Sequence, residues 1–319
     1  MKVVATDWDL GTEGPARRVL ERAGWELVTA RCQTAEELVA AASDAQALLV
    51  RYASLPREVF GRLPELRFVS RLGIGPWEVD LTGAAEHQVA VADCPEYCTD
   101  ESVSHTLALI LALNRGLLDA PGAIASGTWG SYGTNQPLLS TADLVLGLVG
   151  LGRMGQGIAA VARALGMDVI GYDPFVLGVP EGVDQVDLAT LLSDSDIVCL
   201  LCPATPGLEP LITAEALALM KPTAYLVNTA RGSLVDEAAL IEALDGGRLA
   251  GAALDVLAEE PPSPGNPLVG RSDVLITPHV AYLSDQSQHE LKVYAARNVV
   301  HYFTGEPVGG LLTPDFRRV

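Results

Sequence analysis

The sequence predicts an α/β protein made of two doubly wound parallel sheets. Short apolar runs of strand length alternate with helical stretches from the first residues onward. The same alternation restarts near residue 144, and a stretch rich in Gly, Ser, Thr and Pro, 126–142, lies between the two series. Strands that alternate with helices pair in parallel, because each helix carries the chain back across the sheet. Two such units in one chain place the expected ligand site in the cleft between them.

In the first series, strands are expected at 3–6, 26–29, 47–51 and 68–71, with helices at 15–23, 35–42 and 57–63. A long helix is expected over 99–116, where Thr99-Asp100-Glu101 supplies a capping hydroxyl and early acids that suit the positive end of the helix dipole. In the second series, strands are expected at 144–150, 168–172, 196–201, 224–228, 253–256 and 274–277, with helices at 155–164 and 234–244. The Pro- and Gly-rich stretch 261–267 reads as a second irregular connection.

Composition sets the limits. With 319 residues, 49% hydrophobic and only 5% aromatic, the cores have to be built from Ala, Val, Leu and Ile. Lys and Arg number 21 against 40 Asp and Glu, a formal charge of −19 that repels nucleic-acid phosphates and anionic lipid heads. Neither nucleic acid nor membrane is therefore an expected partner, and a small anionic substrate has to be captured by local arginines. The longest apolar run outside the glycine-rich centre, 107–113, falls far short of the roughly 20 residues that cross a bilayer. Five cysteines, an odd number, and no signal-peptide core point to free thiols and a cytoplasmic location.

The most specific motif is Gly150-Leu151-Gly152-Arg153-Met154-Gly155, which follows an apolar strand and opens a helix. Gly150 allows the tight turn, Gly152 lets backbone approach a pyrophosphate, and Gly155 lets helix and strand pack closely. The amides of Arg153 and Met154 then face the phosphates at a helix N-terminus. Asp173 ends the next strand, roughly 20 residues on, where a carboxylate binds the adenosine ribose hydroxyls. No arginine occurs in Pro174-Phe175-Val176-Leu177 to receive a 2′-phosphate, so NAD is expected rather than NADP. The unit is thus Rossmann-like.

Three residues downstream each lie just past a strand: Arg231 in Asn228-Thr229-Ala230-Arg231-Gly232, Glu260 in Glu259-Glu260-Pro261, and His279 in Thr277-Pro278-His279. Reduction of a 2-oxo acid needs a guanidinium to grip the carboxylate and polarise the carbonyl. It also needs a proton donor for the oxygen, a task that suits histidine, and a carboxylate that orients the histidine and favours its charged form.

With these segments in view, the chain resembles the D-isomer-specific 2-hydroxyacid dehydrogenases. The resemblance rests on 147–155, on Val227 to Glu237, on Leu254-Asp255-Val256 through Glu260-Pro261, and on Thr277-Pro278-His279-Val280-Ala281. It implies that Arg231 binds substrate, Glu260 tunes the histidine and His279 is the acid/base. It further implies that Thr229, Ala230 and Asp255 hold the nicotinamide end of NAD. The substrate domain would be discontinuous, 1–100 plus 285–319, with an NAD-binding domain at 101–284, the 99–116 helix crossing between them, and a homodimer formed through the NAD domain.

Arg51-Tyr52-Ala53 and 95–105 look most like the phosphoglycerate-dehydrogenase and C-terminal-binding-protein branch. Arg71-Leu72-Gly73-Ile74-Gly75 matches that branch's substrate loop, which implies that the amides of Ile74 and Gly75 hold the substrate carboxylate. If the family's substrate carries a phosphate, Arg51 and Arg71 are the nearby basic candidates, with Glu78 opposing them. Pro76-Trp77-Glu78 departs from the family pattern beside that loop and leaves the substrate open, an unusual carboxylate or phosphonate included. The branch also implies an alternative function, an NAD(H)-binding corepressor-like interaction protein with little turnover. Cys199 and Cys202 form a CxxC within a strand with no second Cys/His pair, so no metal site is expected, and both read as structural.

Overall fold

The computed structural model describes residues 1–8, 10–76, 79–130, 138–204 and 210–318. The chain divides into two compact units, Met1–Cys98 with Leu283–Val319, and Thr99–Tyr282.

The first unit runs β1 (Lys2–Ala5), α1 (Gly14–Arg22), β2 (Glu26–Thr29), α2 (Ala35–Ala42), β3 (Ala47–Val50), α3 (Arg57–Phe60), β4 (Phe68–Arg71), α4 (Leu81–Glu86) and β5 (Ala90–Ala92). Its five strands are all parallel, in the order β2-β1-β3-β4-β5. Because side chains alternate along a strand, each strand feeds two cores. Ala47 and Leu49 face a layer with Ala16 and Leu20 of α1, whereas Leu48 and Val50 face one with Leu38, Val59 and Ala84 from α2, α3 and α4. Cutting Leu49 back to alanine would cost about 2–5 kcal/mol, since both faces of its strand are fully buried.

The second unit runs α5 (Thr99–Asn114), α6 (Ala120–Ala125), β6 (Val145–Val149), α7 (Arg153–Ala164), β7 (Asp168–Tyr172), β8 (Asp184–Gln185), α8 (Leu188–Asp194), β9 (Ile197–Leu200), α9 (Ala214–Leu219), β10 (Tyr225–Asn228), α10 (Glu237–Asp245), β11 (Gly251–Leu254) and β12 (Val274–Ile276). The seven parallel strands lie in the order β12-β11-β10-β9-β6-β7-β8. One face is covered by α5 and α7 through Ile110, Ile158 and Ala162, the other by α8, α9 and α10 through Leu191, Leu217 and Leu240. α5 approaches α7 so closely that a Cβ on Gly157 would come within 2.7 Å of Val103 Cγ2.

The last helix, α11 (Asp285–Thr304), returns to the first unit and packs on α1. Ser284 and Ser287 close its N-terminus as a capping box, and Gly305, at φ +85°, ends it in the left-handed conformation that glycine adopts without penalty.

Several expectations are corrected. The helix expected over 234–244 starts at Glu237, because Gly232–Leu234 forms a 3-10 turn and the Asp236 side chain caps α10 by accepting from the Ala239 amide at 3.0 Å. α3 is a single turn rather than 57–63. The connection expected as loop over 126–142 runs into a 3-10 turn, Thr141–Asp143, and 131–137 are outside the described residues. Trp77 and Glu78, the departure beside the glycine-rich loop, are likewise outside the described residues.

Candidate active site

β6 sits between β9 and β7, so the chain leaves it where strand order reverses, and its carboxyl end opens into the crevice where such sheets bind ligands. Gly150 takes φ +107°, and a Cβ there would lie 2.8 Å from the Cys202 nitrogen on the neighbouring strand's exit. A Cβ on Gly155 would collide with the Gly150 carbonyl oxygen, whereas one on Gly152 would meet no atom within 4 Å. The three glycines therefore differ: two close the turn against protein, and Gly152 opens onto space.

α7 begins at Arg153 with Gly152 as its N-cap, and no side chain caps it. By contrast Thr34, Asp80, Asp187, Thr213 and Asp236 each accept an amide at the start of their helices. An uncapped helix start beside an open glycine suits a pyrophosphate. Asp173, just beyond β7, accepts from the Leu151 amide at 2.9 Å through Oδ2 and from the Phe175 amide at 2.9 Å through Oδ1. Its carboxylate thus lies against the glycine turn, where a ribose would follow the phosphates. These residues fit a dinucleotide.

Arg231 projects from the loop after β10. Asn228, almost wholly buried, fixes that loop by donating to the Arg231 carbonyl at 2.8 Å and accepting from the Ala230 amide at 3.0 Å. Arg231 Nη1 donates to the Ala230 carbonyl at 2.7 Å. A Cβ on Gly232 would collide with the Leu257 carbonyl, so only glycine lets the Arg231 loop pack on the segment leading to Glu260.

Glu260 Oε1 accepts from the Leu257 amide at 3.0 Å, and Oε2 lies 2.5 Å from His279 Nδ1. Burial pushes the Glu260 carboxyl up, but the His279 hydrogen bond, the Leu257 amide and the charges of His279 and Arg231 together hold it below its ordinary value. An ionised Glu260 is an acceptor only, so Nδ1 carries the proton and Nε2 is the nitrogen left for chemistry.

His279 itself has φ +53°, a left-handed backbone uncommon outside glycine, though asparagine, aspartate and histidine adopt it more often than other residues. Its amide donates to the carbonyls of Asp255 at 2.8 Å and Thr277 at 3.0 Å. The Asp255 carboxylate receives the Thr277 hydroxyl at 2.6 Å, the Val280 amide at 2.9 Å and the Ala281 amide at 2.9 Å. Asp255 is only 2% exposed, and what it visibly holds is the turn that presents His279. The resemblance implies that Asp255 also holds the nicotinamide end. His105 Nε2 on α5 lies 3.1 Å from Thr277 Oγ1 and 3.5 Å from Asp255 Oδ1, extending this network. Thr229 Oγ1 lies 2.9 Å from Thr106 Oγ1, which anchors the loop before Arg231 to α5.

On the first unit, three consecutive amides fix the loop after β3: those of Arg51 at 2.9 Å, Tyr52, and Ala53 at 2.9 Å all donate to the Asp7 carboxylate. The Arg51 guanidinium carbon lies 4.9 Å from the centre of the Tyr52 ring. Ile74 is exposed, and its carbonyl accepts from Arg71 at 3.1 Å. The expectation for Gly75 is corrected: its amide donates to Asp93 Oδ2 at 2.7 Å and is not left for a substrate carboxylate. Cys199 is buried in β9 and Cys202 half-buried after it, and burial pushes both thiols up, as expected of unreactive cysteines.

The chain is similar to known proteins. Residues 107–281 match the family described as D-isomer specific 2-hydroxyacid dehydrogenase, NAD binding domain. The chain is 34% identical to a hydroxypyruvate reductase of Blautia hydrogenotrophica, over 86% of this chain and 87% of that one. It is also 34% identical to a D-3-phosphoglycerate dehydrogenase of Methanocaldococcus jannaschii, over 96% of this chain and 58% of that one. A D-lactate dehydrogenase of Aquifex aeolicus, solved with NAD and lactic acid, superimposes with a TM-score of 0.85 at 25% identity, covering 98% of this chain and 99% of that one.

Proposed function

Because the chain belongs to the D-isomer-specific 2-hydroxyacid dehydrogenases and is an NAD-dependent oxidoreductase acting on a CH–OH group, we propose that His279, Glu260 and Arg231 carry out the interconversion of a small D-2-hydroxy acid and its 2-oxo acid. The observation that carries this reading is the 2.5 Å contact between His279 Nδ1 and Glu260 Oε2, with Arg231 close enough for its charge to act on the same carboxylate.

When bound, NADH supplies the hydride to the carbonyl carbon. Arg231 grips the substrate carboxylate and draws electron density toward the carbonyl oxygen. His279 delivers the proton from Nε2 to that oxygen, so the C=O bond becomes C–OH. Glu260 stays ionised, keeps the Nδ1 proton in place and stabilises the imidazolium before transfer. In oxidation the same Nε2 takes the hydroxyl proton. Asp255 and Thr277 hold the His279 turn, and Gly150, Gly152, Arg153, Met154, Gly155 and Asp173 hold the dinucleotide, with Thr229 and Ala230 toward its nicotinamide end. Arg51 and Ile74 are the proposed substrate contacts on the first unit.

The test is reduction of a panel of 2-oxo acids (glyoxylate, hydroxypyruvate, phenylpyruvate and phosphohydroxypyruvate) followed by loss of NADH absorbance. Turnover that His279→Ala abolishes, with NADH still bound, supports the assignment. Turnover that survives His279→Ala removes His279 as the acid. Silence across the panel with tight NADH binding would instead favour the interaction-protein alternative.

A homodimer through the second unit is part of the same proposal. Leu117, Ile124, Trp129 and Leu138, all between α5 and β6, are exposed large apolar residues, with Trp129 at 89%. Exposed apolar side chains of this kind are what a second copy would cover. The cytoplasmic location is also a proposal; among the described residues no helix is long and apolar enough to cross a membrane.

A further inference from the structure

In the first unit, the proposed substrate contacts Arg51 and Ile74 follow the carboxyl ends of β3 and β4. At the opposite edge of the same sheet, just before β4 and β5, lies a cavity of about 470 Å³, the size of a small-ligand pocket. Phe60, Leu66 and Phe316 give it an apolar lining, and Arg67, His87 and Tyr302 give it polar groups.

Tyr302 is the residue that points to a ligand. It is only 5% exposed and belongs to the core under α11. Its ring stacks on Phe68 with centroids 4.6 Å apart, and the Arg317 guanidinium carbon lies over it, 5.0 Å from its centre. Phe68 and Arg317 thus cover the ring, and the hydroxyl end is left to meet the cavity. Among the described residues that hydroxyl has no hydrogen-bond partner. Burial pushes the phenol up, so it stays protonated and can donate.

Arg67 stands beside it, close enough for its charge to act on the phenol. Its Nη1 donates to the carbonyls of Pro64 at 2.7 Å and Leu66 at 2.8 Å, which fixes the guanidinium at the cavity wall. Nε and Nη2 meet no acceptor among the described residues. Gln88, which also lines the cavity, turns the chain into β5 at φ +57°, a conformation that glycine would adopt with less strain. The far wall is held by the C-terminal turn. Arg317 Nη1 donates to the carbonyls of His301, Tyr302 and Glu306, each at 2.9 Å, and so keeps Phe316 in place.

A fixed guanidinium and a neutral phenol are donors side by side, and together they suit a carboxylate. Water would satisfy the hydroxyl but would leave the apolar lining wet, which a ligand with a carbon body would not.

We propose that this cavity binds a small monocarboxylic acid with an apolar body, its carboxylate on Arg67 and Tyr302 and its body against Phe60, Leu66 and Phe316. The site lies wholly in the first unit and does not depend on the activity proposed above.

The test measures binding to the full chain by isothermal titration calorimetry, with phenylacetate as the probe and 2-phenylethanol as its uncharged counterpart. Phenylacetate is also a carboxylate that Arg231 could hold, so Arg231→Met is the control for the candidate active site. The unaltered protein is expected to bind phenylacetate about tenfold or more tighter than the alcohol. Arg67→Met is expected to weaken that binding by about tenfold to a hundredfold, the worth of a hydrogen bond to a charged group, and Tyr302→Phe by about tenfold. Arg231→Met is expected to leave it unchanged.

Tyr302→Phe keeps the stack on Phe68 and removes a hydroxyl with no protein partner, so Tm without ligand should hold. That variant decides the matter if Arg67→Met fails to fold. No binding by the unaltered protein, equal affinity for the alcohol, or affinity unchanged in Tyr302→Phe overturns the proposal. Affinity lost in Arg231→Met and kept in Arg67→Met assigns the probe to the candidate active site and overturns it as well.

Discussion

Glu260 bridges the Leu257 amide, at 3.0 Å, and His279 Nδ1, at 2.5 Å, with the two oxygens of one carboxylate. The histidine is therefore aimed by a group that is itself anchored to backbone. His279→Ala is expected to lower kcat by about 10²- to 10⁴-fold, the usual contribution of a positioned general acid, with little change in NADH affinity. Stopped-flow turnover and NADH fluorescence titration check the two halves of that statement.

Glu260 also gives a pH signature in stability. Its folded carboxyl lies below the ordinary value of 4.5, so the stability it contributes is fully present above that value and is lost as pH falls through the lower, folded value. The Tm difference between the unaltered protein and Glu260→Gln should therefore shrink on acidification below pH 4.5. A difference that grows on acidification would reverse the sign and contradict the ion pair.

Gly152 and Gly155 separate ligand approach from packing. Alanine at 155 drives a methyl into the Gly150 carbonyl and should destabilise the fold by about 1–3 kcal/mol in addition to weakening NADH. Alanine at 152 meets no protein atom, so Tm should hold while NADH affinity falls. Equal affinity in Gly152→Ala would mean that the dinucleotide does not pass over this residue.

Asp255→Asn removes an acceptor from a site that needs three, and an amide nitrogen then faces a donor. Leaving one buried donor unsatisfied costs about 1–3 kcal/mol, to be read by urea unfolding. Because the same turn carries His279, kcat should fall as well. His105→Ala removes only the outer member of the network and is expected to have a smaller effect on both.

Charge placed among the exposed apolar residues between α5 and β6 tests the homodimer. Ile124→Asp with Trp129→Ser should convert a dimeric mass to a monomeric one in sedimentation velocity. A monomer before substitution would remove the dimer from the proposal.

The strand and helix series, the glycine turn, and the Arg231, Glu260 and His279 positions were legible because each is local: a period, a spacing, or a residue just past a strand. What escaped depends on chain that is distant in sequence. Asp255 meets Val280 and Ala281 only once β11 and β12 pair, and His105 meets Thr277 across 172 positions. Gly75 looked like a free amide because nothing nearby announces that Asp93 would take it. Short elements such as β8, α8 and α9 are too brief for their periods to register.

The seven-stranded sheet has one further consequence. The glycine turn, Asp173, Arg231, Asp255 and His279 all leave its carboxyl edge, while the turns near 166, 195, 223, 249 and 272 enter its amino edge. The molecule is therefore polarised as a substrate for laboratory evolution. Libraries confined to the entering turns would reshape solubility and robustness, and those confined to the leaving loops would reshape chemistry, with the shared strands insulating one from the other.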